Sequence, residues 1–182
     1  MYFGVDEPYV AELAQHHVRP GDIVYDIGAH IGYTTLLFAD RVGLSSSEQT
    51  LQLPVGETMM TSLYSRDLAG GGKNEGCRTC RLEDYVTREH LPLPALIKMD
   101  IEGAEIDCLE GGLEIIRNVR PKLIIEFHSL ELLAKGIKIL SPMGYILKIR
   151  ERVIDEEFVR SAKWFHSNVF CSTNQERELA DH

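Results

Sequence analysis

The sequence predicts an α/β protein built on an open, mostly parallel sheet flanked by helices. Three observations predict it. Short apolar runs recur at Ile23–Ile27, Ala95–Met99 and Lys122–Phe127, the pattern of strands buried on both faces. Segments with helical periodicity lie between and after these runs. At two places a strand ends in an acid and passes through glycine into a helix, as at the ligand edge of a doubly wound sheet.

Taken in order, Asp6 to Val18 reads as an amphipathic helix. Asp6 caps it, Pro8 sits in its first turn, and Val10, Leu13, Ala14 and His17 share one face. Arg19-Pro20-Gly21-Asp22 is a turn. The strand Ile23–Ile27 leads into a glycine-rich loop, Gly28 to Gly32, and a helix from Tyr33 to Val42, with Gly43 as its stop. Thr50 to Val55 alternates like an exposed strand. Asp67 to Gly76, with three successive glycines, is a loop, and Arg81 to Glu89 is a short helix. No second strand–helix–strand unit is visible in this stretch.

Order returns with the strand Ala95–Met99, which ends at Asp100. A helix is expected over Ile101–Asn118, where Ile101, Ala104, Glu105, Cys108, Leu109, Gly112, Leu113 and Ile116 fall at helical spacing. Pro121 breaks the chain before the strand Lys122–Phe127. Ser129 caps a helix from Leu130 to Leu140, Ser141 to Gly144 turn, Tyr145–Ile149 is a strand, and Trp164–Cys171 is the last strand. Residues 1–172 are expected to form one domain, and 173–182 a polar tail that frays. No internal repeat is found.

Composition narrows the function classes. With 28 acidic and 19 basic residues among 182, the net charge is −9, which repels phosphate backbones and argues against nucleic acid as a partner. No apolar run approaches the ~20 residues that span a bilayer, and the N-terminus lacks the blocks of a secretion signal. No membrane association and a cytoplasmic location are therefore expected. Cys77 and Cys80 have a C-x-x-C spacing, but no second ligand pair follows and the pair does not open a helix after a strand. They are read as unrelated thiols in or beside a short strand.

The most informative stretch is Asp26-Ile27-Gly28-Ala29-His30-Ile31-Gly32-Tyr33-Thr34. Gly28 and Gly32 allow a tight turn and a close approach to a ligand, and the following helix offers free N–H groups at its start. The glycines do not follow the dinucleotide spacing. An acid at Asp26 would crowd a pyrophosphate, whereas it suits a ligand with a cationic amino group. A second junction, Lys98-Met99-Asp100-Ile101-Glu102-Gly103-Ala104-Glu105, brings four ionisable side chains to one strand end, more than capping requires. Glu102 and Glu105 are expected in the first helical turn, where the macrodipole favours carboxylates.

These two junctions, together with Pro121-Lys122-Leu123-Ile124-Ile125-Glu126-Phe127-His128 and Asn168-Val169-Phe170, resemble the FkbM family of methyltransferases. Thr61-Ser62-Leu63 and Thr79 to Tyr85 look like that family's middle section, and the order agrees from about Glu7 to Cys171. The resemblance implies a Rossmann-like methyltransferase fold and S-adenosylmethionine as methyl donor. It places Asp26, Gly28, His30, Gly32, Tyr33 and Thr34 around the donor's amino acid portion, and Asp100 between donor and acceptor oxygen. Glu126 and His128 would face the acceptor pocket, and Lys98, Glu102 and Glu105 are assigned to binding the acceptor. The family normally adds, after the first helix, a second strand whose terminal acid holds the ribose, then a further helix and strand. Here Val42-Gly43 runs directly into Leu44 to Glu48, which looks like a later segment. A βαβ unit needs about 30 residues, so the chain is expected to lack part of the second and third strand region, and no ribose-binding acid is assigned.

Methyl transfer requires alignment of the acceptor oxygen and removal of its proton. His128, Asp100 and Glu126 are the candidate bases. His128 is the simplest because imidazole titrates near neutrality, although it could equally cap the next helix beside Ser129. Partial burial would raise the pKa of Glu126. His166 lies on the acceptor side, and Tyr33 and Phe127 are read as packing residues. No ligand spacing indicates a metal, so metal-independent O-methylation of a small-molecule or carbohydrate hydroxyl is expected. The alternatives are a non-catalytic binding module with an incomplete donor pocket and, behind it, a nicotinamide-dependent oxidoreductase.

Overall fold

In the computed structural model the described residues are 7–19, 21–28, 49–54 and 74–173. The expected Asp6 cap, the loop residues His30, Gly32, Tyr33 and Thr34, the helix they open, the Thr61-Ser62-Leu63 match and the tail from 174 onward lie outside them. Along the chain the elements are α1 (Glu7–His17), β1 (Val24–Ile27), β2 (Gln49–Pro54), β3 (Asn74–Thr79), α2 (Leu82–Arg88) and β4 (Leu96–Met99). They continue with α3 (Glu105–Gly111), α4 (Leu113–Val119), β5 (Lys122–Phe127), α5 (Leu130–Leu140), β6 (Tyr145–Ile149), β7 (Arg152–Val153), α6 (Glu156–Ser161) and β8 (Ser167–Thr173).

Six strands form one sheet in the order β1-β4-β5-β8-β6-β7. β1, β4 and β5 run parallel, as the apolar runs predicted. β8 inserts antiparallel between β5 and β6, and β7 folds back on β6. The sheet is therefore mixed, its parallel part being the half that carries the acid-ended strands. Among the described residues β1 is an edge, which agrees with the expected loss of strands beyond it. β2 and β3 pair antiparallel as a separate two-stranded sheet. Residues 74–76, expected in a loop, belong to β3, because pairing along β2 outweighs the poor strand propensity of Asn and Gly. Cys77 thus lies within a strand and Cys80 just beyond it.

Strand periodicity assigns the two faces of the sheet. One face carries Ile97, Met99, Leu123, Ile125, Phe127, Val169 and Cys171, packed against Leu109, Ile116, Leu133 and Ile137 of α3, α4 and α5. The other carries Leu96, Ile124 and Phe170, covered by Tyr9, Val10 and Leu13 of α1, with His17 stacked on Phe170 at 4.3 Å. Asp26, Lys98, Glu126 and Asn168 fall on this second face by the same alternation. They lie level with or beyond the apolar patch that α1 covers, toward the carboxyl ends of the parallel strands.

The long helix expected over Ile101–Asn118 is divided. Glu102 and Gly103 both adopt positive φ (49° and 105°), so the chain turns before α3 starts at Glu105. A second break at Gly112 separates α3 from α4, and a Cβ there would lie 2.8 Å from Leu82 of α2. The helical spacing was real, but two glycine-containing steps let the chain bend to fit its neighbours. The last strand also begins later than expected. β8 pairs Ser167 with Phe127, and beyond Phe127 the β5 chain leaves the sheet for the Ser129-capped helix α5. Trp164 to His166 consequently have no ladder to join and precede the strand, whose far end reaches Thr173 through pairing with Tyr145.

Gly136 in α5 allows the Phe127 ring to pack against the helix, since a Cβ there would stand 2.4 Å from its Cζ. Gly136→Ala should gain up to about 1 kcal/mol of helix propensity but lose about 1–3 kcal/mol to overpacking of a fully buried ring. A net fall in the urea midpoint with an unchanged m-value is the expected result; a rise would show that the ring yields freely.

Candidate functional site

The carboxyl ends of β1, β4 and β5 bring together side chains far apart in sequence. Lys98 is the centre of the inner part. Its cross-strand neighbour is Asp26 and its same-face neighbour two residues on is Asp100, so the sheet's geometry alone sets all three side by side. The ammonium lies 3.6 Å from Asp26 Oδ1 and 3.3 Å from Asp100 Oδ2. Asp26 and Lys98 are buried, whereas Asp100 is partly open to solvent. Lys98 therefore offers a substrate little surface and acts on Asp100 instead.

Gly28 has φ +85°, and a Cβ on it would fall 1.7 Å from the carbonyl oxygen of Asp100. The close approach foreseen for this glycine is made to the protein's own backbone. The Asp100 N–H donates to Ile27 O at 2.9 Å from the same side, so the ends of β1 and β4 are locked together.

The outer part centres on His128, just past β5. Glu105, fully buried at the start of α3, accepts the Gly103 N–H at 2.9 Å and pairs through the same Oε1 with His128 Nδ1 at 2.6 Å. An ionised carboxylate can only accept, so Nδ1 carries a proton and Nε2 faces the remaining acids. Nε2 is 3.3 Å from Glu102 and 3.6 Å from Asp100. Glu102 reaches it from the left-handed turn, not from a helix, and that strained conformation is of the kind found at functional sites. Glu105, like Lys98, is committed inside the protein and has no surface for a substrate.

Burial alone would lower the pKa of His128, but the hydrogen bond and charge of Glu105, with the charges of Glu102 and Glu126, outweigh it and carry the group up to about 9. The neighbouring carboxylates thus favour the protonated ring. The ground for preferring it as base, a neutral-range titration, is removed by its neighbours. Glu126 behaves as its position suggested: burial, then repulsion by Asp100, raises its pKa, opposed by His128, His166 and Lys98.

His166, which precedes β8, brings Nε2 to 2.9 Å from Glu126 Oε1, and its ring centre lies 4.7 Å from that of His128. Buried Asn168, opposite Glu126 in the ladder, donates to Glu126 Oε2 at 3.5 Å. The role of Asn168 was not foreseen, although an amide on a covered face beside Val169 and Phe170 signals a polar partner within. Ion pairs thus join Asp26, Lys98, Asp100, Glu102, Glu105 and His128, and the His128–His166 ring contact adds the His166–Glu126 pair to the same cluster.

The methyltransferase FkbM domain model matches residues 44–147, more than half of the chain. The chain belongs to the FkbM methyltransferase family. The matched region contains Lys98 through His128, whereas Asp26, Gly28, His166 and Asn168 lie outside it and join the site through the sheet. The match begins at Leu44, the residue that follows directly on Gly43 where the family's early strands were expected to be missing. No curated protein matches the chain. A crystal structure of methyltransferase FkbM from Methylobacillus flagellatus KT aligns at 17% identity with a TM-score of 0.48, covering 82% of this chain and 43% of that one. The chain therefore spans less than half the length of that FkbM protein. Among the described residues, no helix of this FkbM-domain chain is long and apolar enough to cross a membrane.

Proposed function

We propose that this chain transfers the methyl group of S-adenosylmethionine to a hydroxyl oxygen of a small molecule or sugar. One observation carries the reading: Asp26, Asp100 and Glu126 stand at the carboxyl ends of three adjacent parallel strands, in one charge cluster, where α/β folds take their ligands. Negative charge there favours a donor that bears an ammonium and a sulfonium and no phosphate.

The family resemblance assigns His30, Gly32, Tyr33 and Thr34 to the amino acid portion of the donor. Asp26, being buried, contributes through its charge and by fixing Lys98 and hence Asp100. Asp100 lies between the two halves of the cluster and is partly open. It orients the acceptor hydroxyl and takes its proton as the oxygen lone pair forms the new bond to carbon. S-adenosylmethionine, when bound, would supply the methyl group and leave as S-adenosylhomocysteine, the electron pair of the broken carbon–sulfur bond staying on sulfur. Glu126 and Glu102 line the acceptor side.

Calorimetric titration of S-adenosylmethionine into the 182-residue chain, with NAD as control, tests this. Saturable binding of the methyl donor alone is expected, weakened at least about tenfold (roughly 1.4 kcal/mol) in Asp26→Asn. Absence of binding by a folded chain would overturn the enzymatic reading in favour of a binding module with an incomplete donor pocket.

A further inference from the structure

Glu126, His128 and His166 each offer a ligand atom within 4.8 Å of the other two. No spacing rule could show this, since the third residue comes from the far end of the chain and is brought in only by the antiparallel insertion of β8 beside β5. From this juxtaposition we infer that Glu126, His128 and His166 form a binding site for a divalent transition-metal cation.

Several features beyond proximity support it. Glu105 holds the Nδ1–H of His128, and such a carboxylate–histidine pair orients the opposite nitrogen toward a metal, which on binding displaces the Nε2 proton. His166 Nε2 and Glu126 Oε1 approach to 2.9 Å but out of hydrogen-bond alignment, so the two ligand atoms are close without being directed at each other. Asn168, 3% exposed, fixes Glu126 through its amide nitrogen while its oxygen has no hydrogen-bond partner. All three ligand side chains keep some contact with solvent, which gives an ion a way in. Asp100 and Glu102 also come within range of His128 and add negative charge.

The donor set decides the class of ion. Two imidazoles with a carboxylate select zinc, manganese or iron(II) over magnesium and calcium, which favour all-oxygen sites. A tetrahedral ion would set the ligand atoms about 3.3 Å apart, so the His166–Glu126 pair at 2.9 Å would open slightly while His128, within 4.8 Å of both, turns toward it. Three protein ligands would leave a position open. On the methyltransferase reading, on which this last step rests, the acceptor hydroxyl would fill that position and lose its proton more readily.

The test is a titration of the metal-stripped 182-residue chain with Co2+, followed by its visible absorption, in the absence of any methyl donor. One Co2+ per chain with a ligand-field spectrum is expected, displaced by Zn2+ but not by a large excess of Mg2+. Glu126→Gln and His166→Ala should each weaken binding at least 100-fold, and His16→Ala on α1 should leave it unchanged, with circular dichroism confirming the fold of all three. Failure of the folded chain to bind Co2+, or binding unaltered in both site variants, would overturn the inference. Because this readout needs no S-adenosylmethionine, its outcome is separable from that of the donor titration.

Discussion

Gly28→Ala is expected to be among the most damaging single substitutions in the chain. Two independent costs add at this position. A positive φ of 85° is one an L-residue rarely adopts, and the new Cβ would lie 1.7 Å from Asp100 O and 2.8 Å from Ile101. Alanine can relieve the overlap only by parting the ends of β1 and β4, which breaks the Asp100 N–H to Ile27 O bond. The expected loss is about 2–4 kcal/mol of stability, read as a lower denaturation midpoint. Donor binding should fall with it, because the displaced residue is the one that joins the two halves of the site. An alanine variant as stable as the parent would show that the close approach is not maintained.

Lys98→Met carries the second large effect. The lysine is buried between Asp26 and Asp100, and removing its charge leaves Asp26 buried beside a repelling neighbour. Breaking a buried pair by deleting one partner costs about 3–5 kcal/mol. Replacing both, as Lys98→Met with Asp26→Leu, should recover much of that loss, since no buried charge then remains on β1. The double variant should nevertheless bind the methyl donor poorly. A single substitution that costs under about 1 kcal/mol would mean that solvent reaches the pair and screens it.

Much of this could be read directly from residues. The strands β4, β5 and β6 are predominantly apolar and flanked by turn residues, so they were legible within one residue of their ends. Ser129 was legible as a cap because an N-cap is a local hydrogen bond, here accepted from the Leu132 N–H at 3.2 Å. Asp26, Lys98, Asp100, Glu102, Glu105, Glu126 and His128 were recognisable as a group from two junctions and a family resemblance. Residues 150–163 gave no reading, yet they form β7 and α6; a two-residue strand and a six-residue helix are too short to show a period.

What the sequence determined by itself was the fold class, the family and the pool of ionisable residues, because each depends on local pattern and composition. The tertiary structure decided how those residues divide their work. Whether a carboxylate or an ammonium meets solvent or is buried against a partner depends on strands from distant parts of the chain. Packing therefore made Lys98 and Glu105 internal supports, raised the pKa of His128, and brought His166 to Glu126 across the β5–β8 ladder. Electrostatic character is a property of the assembled neighbourhood, and a neighbourhood exists only once the sheet has formed.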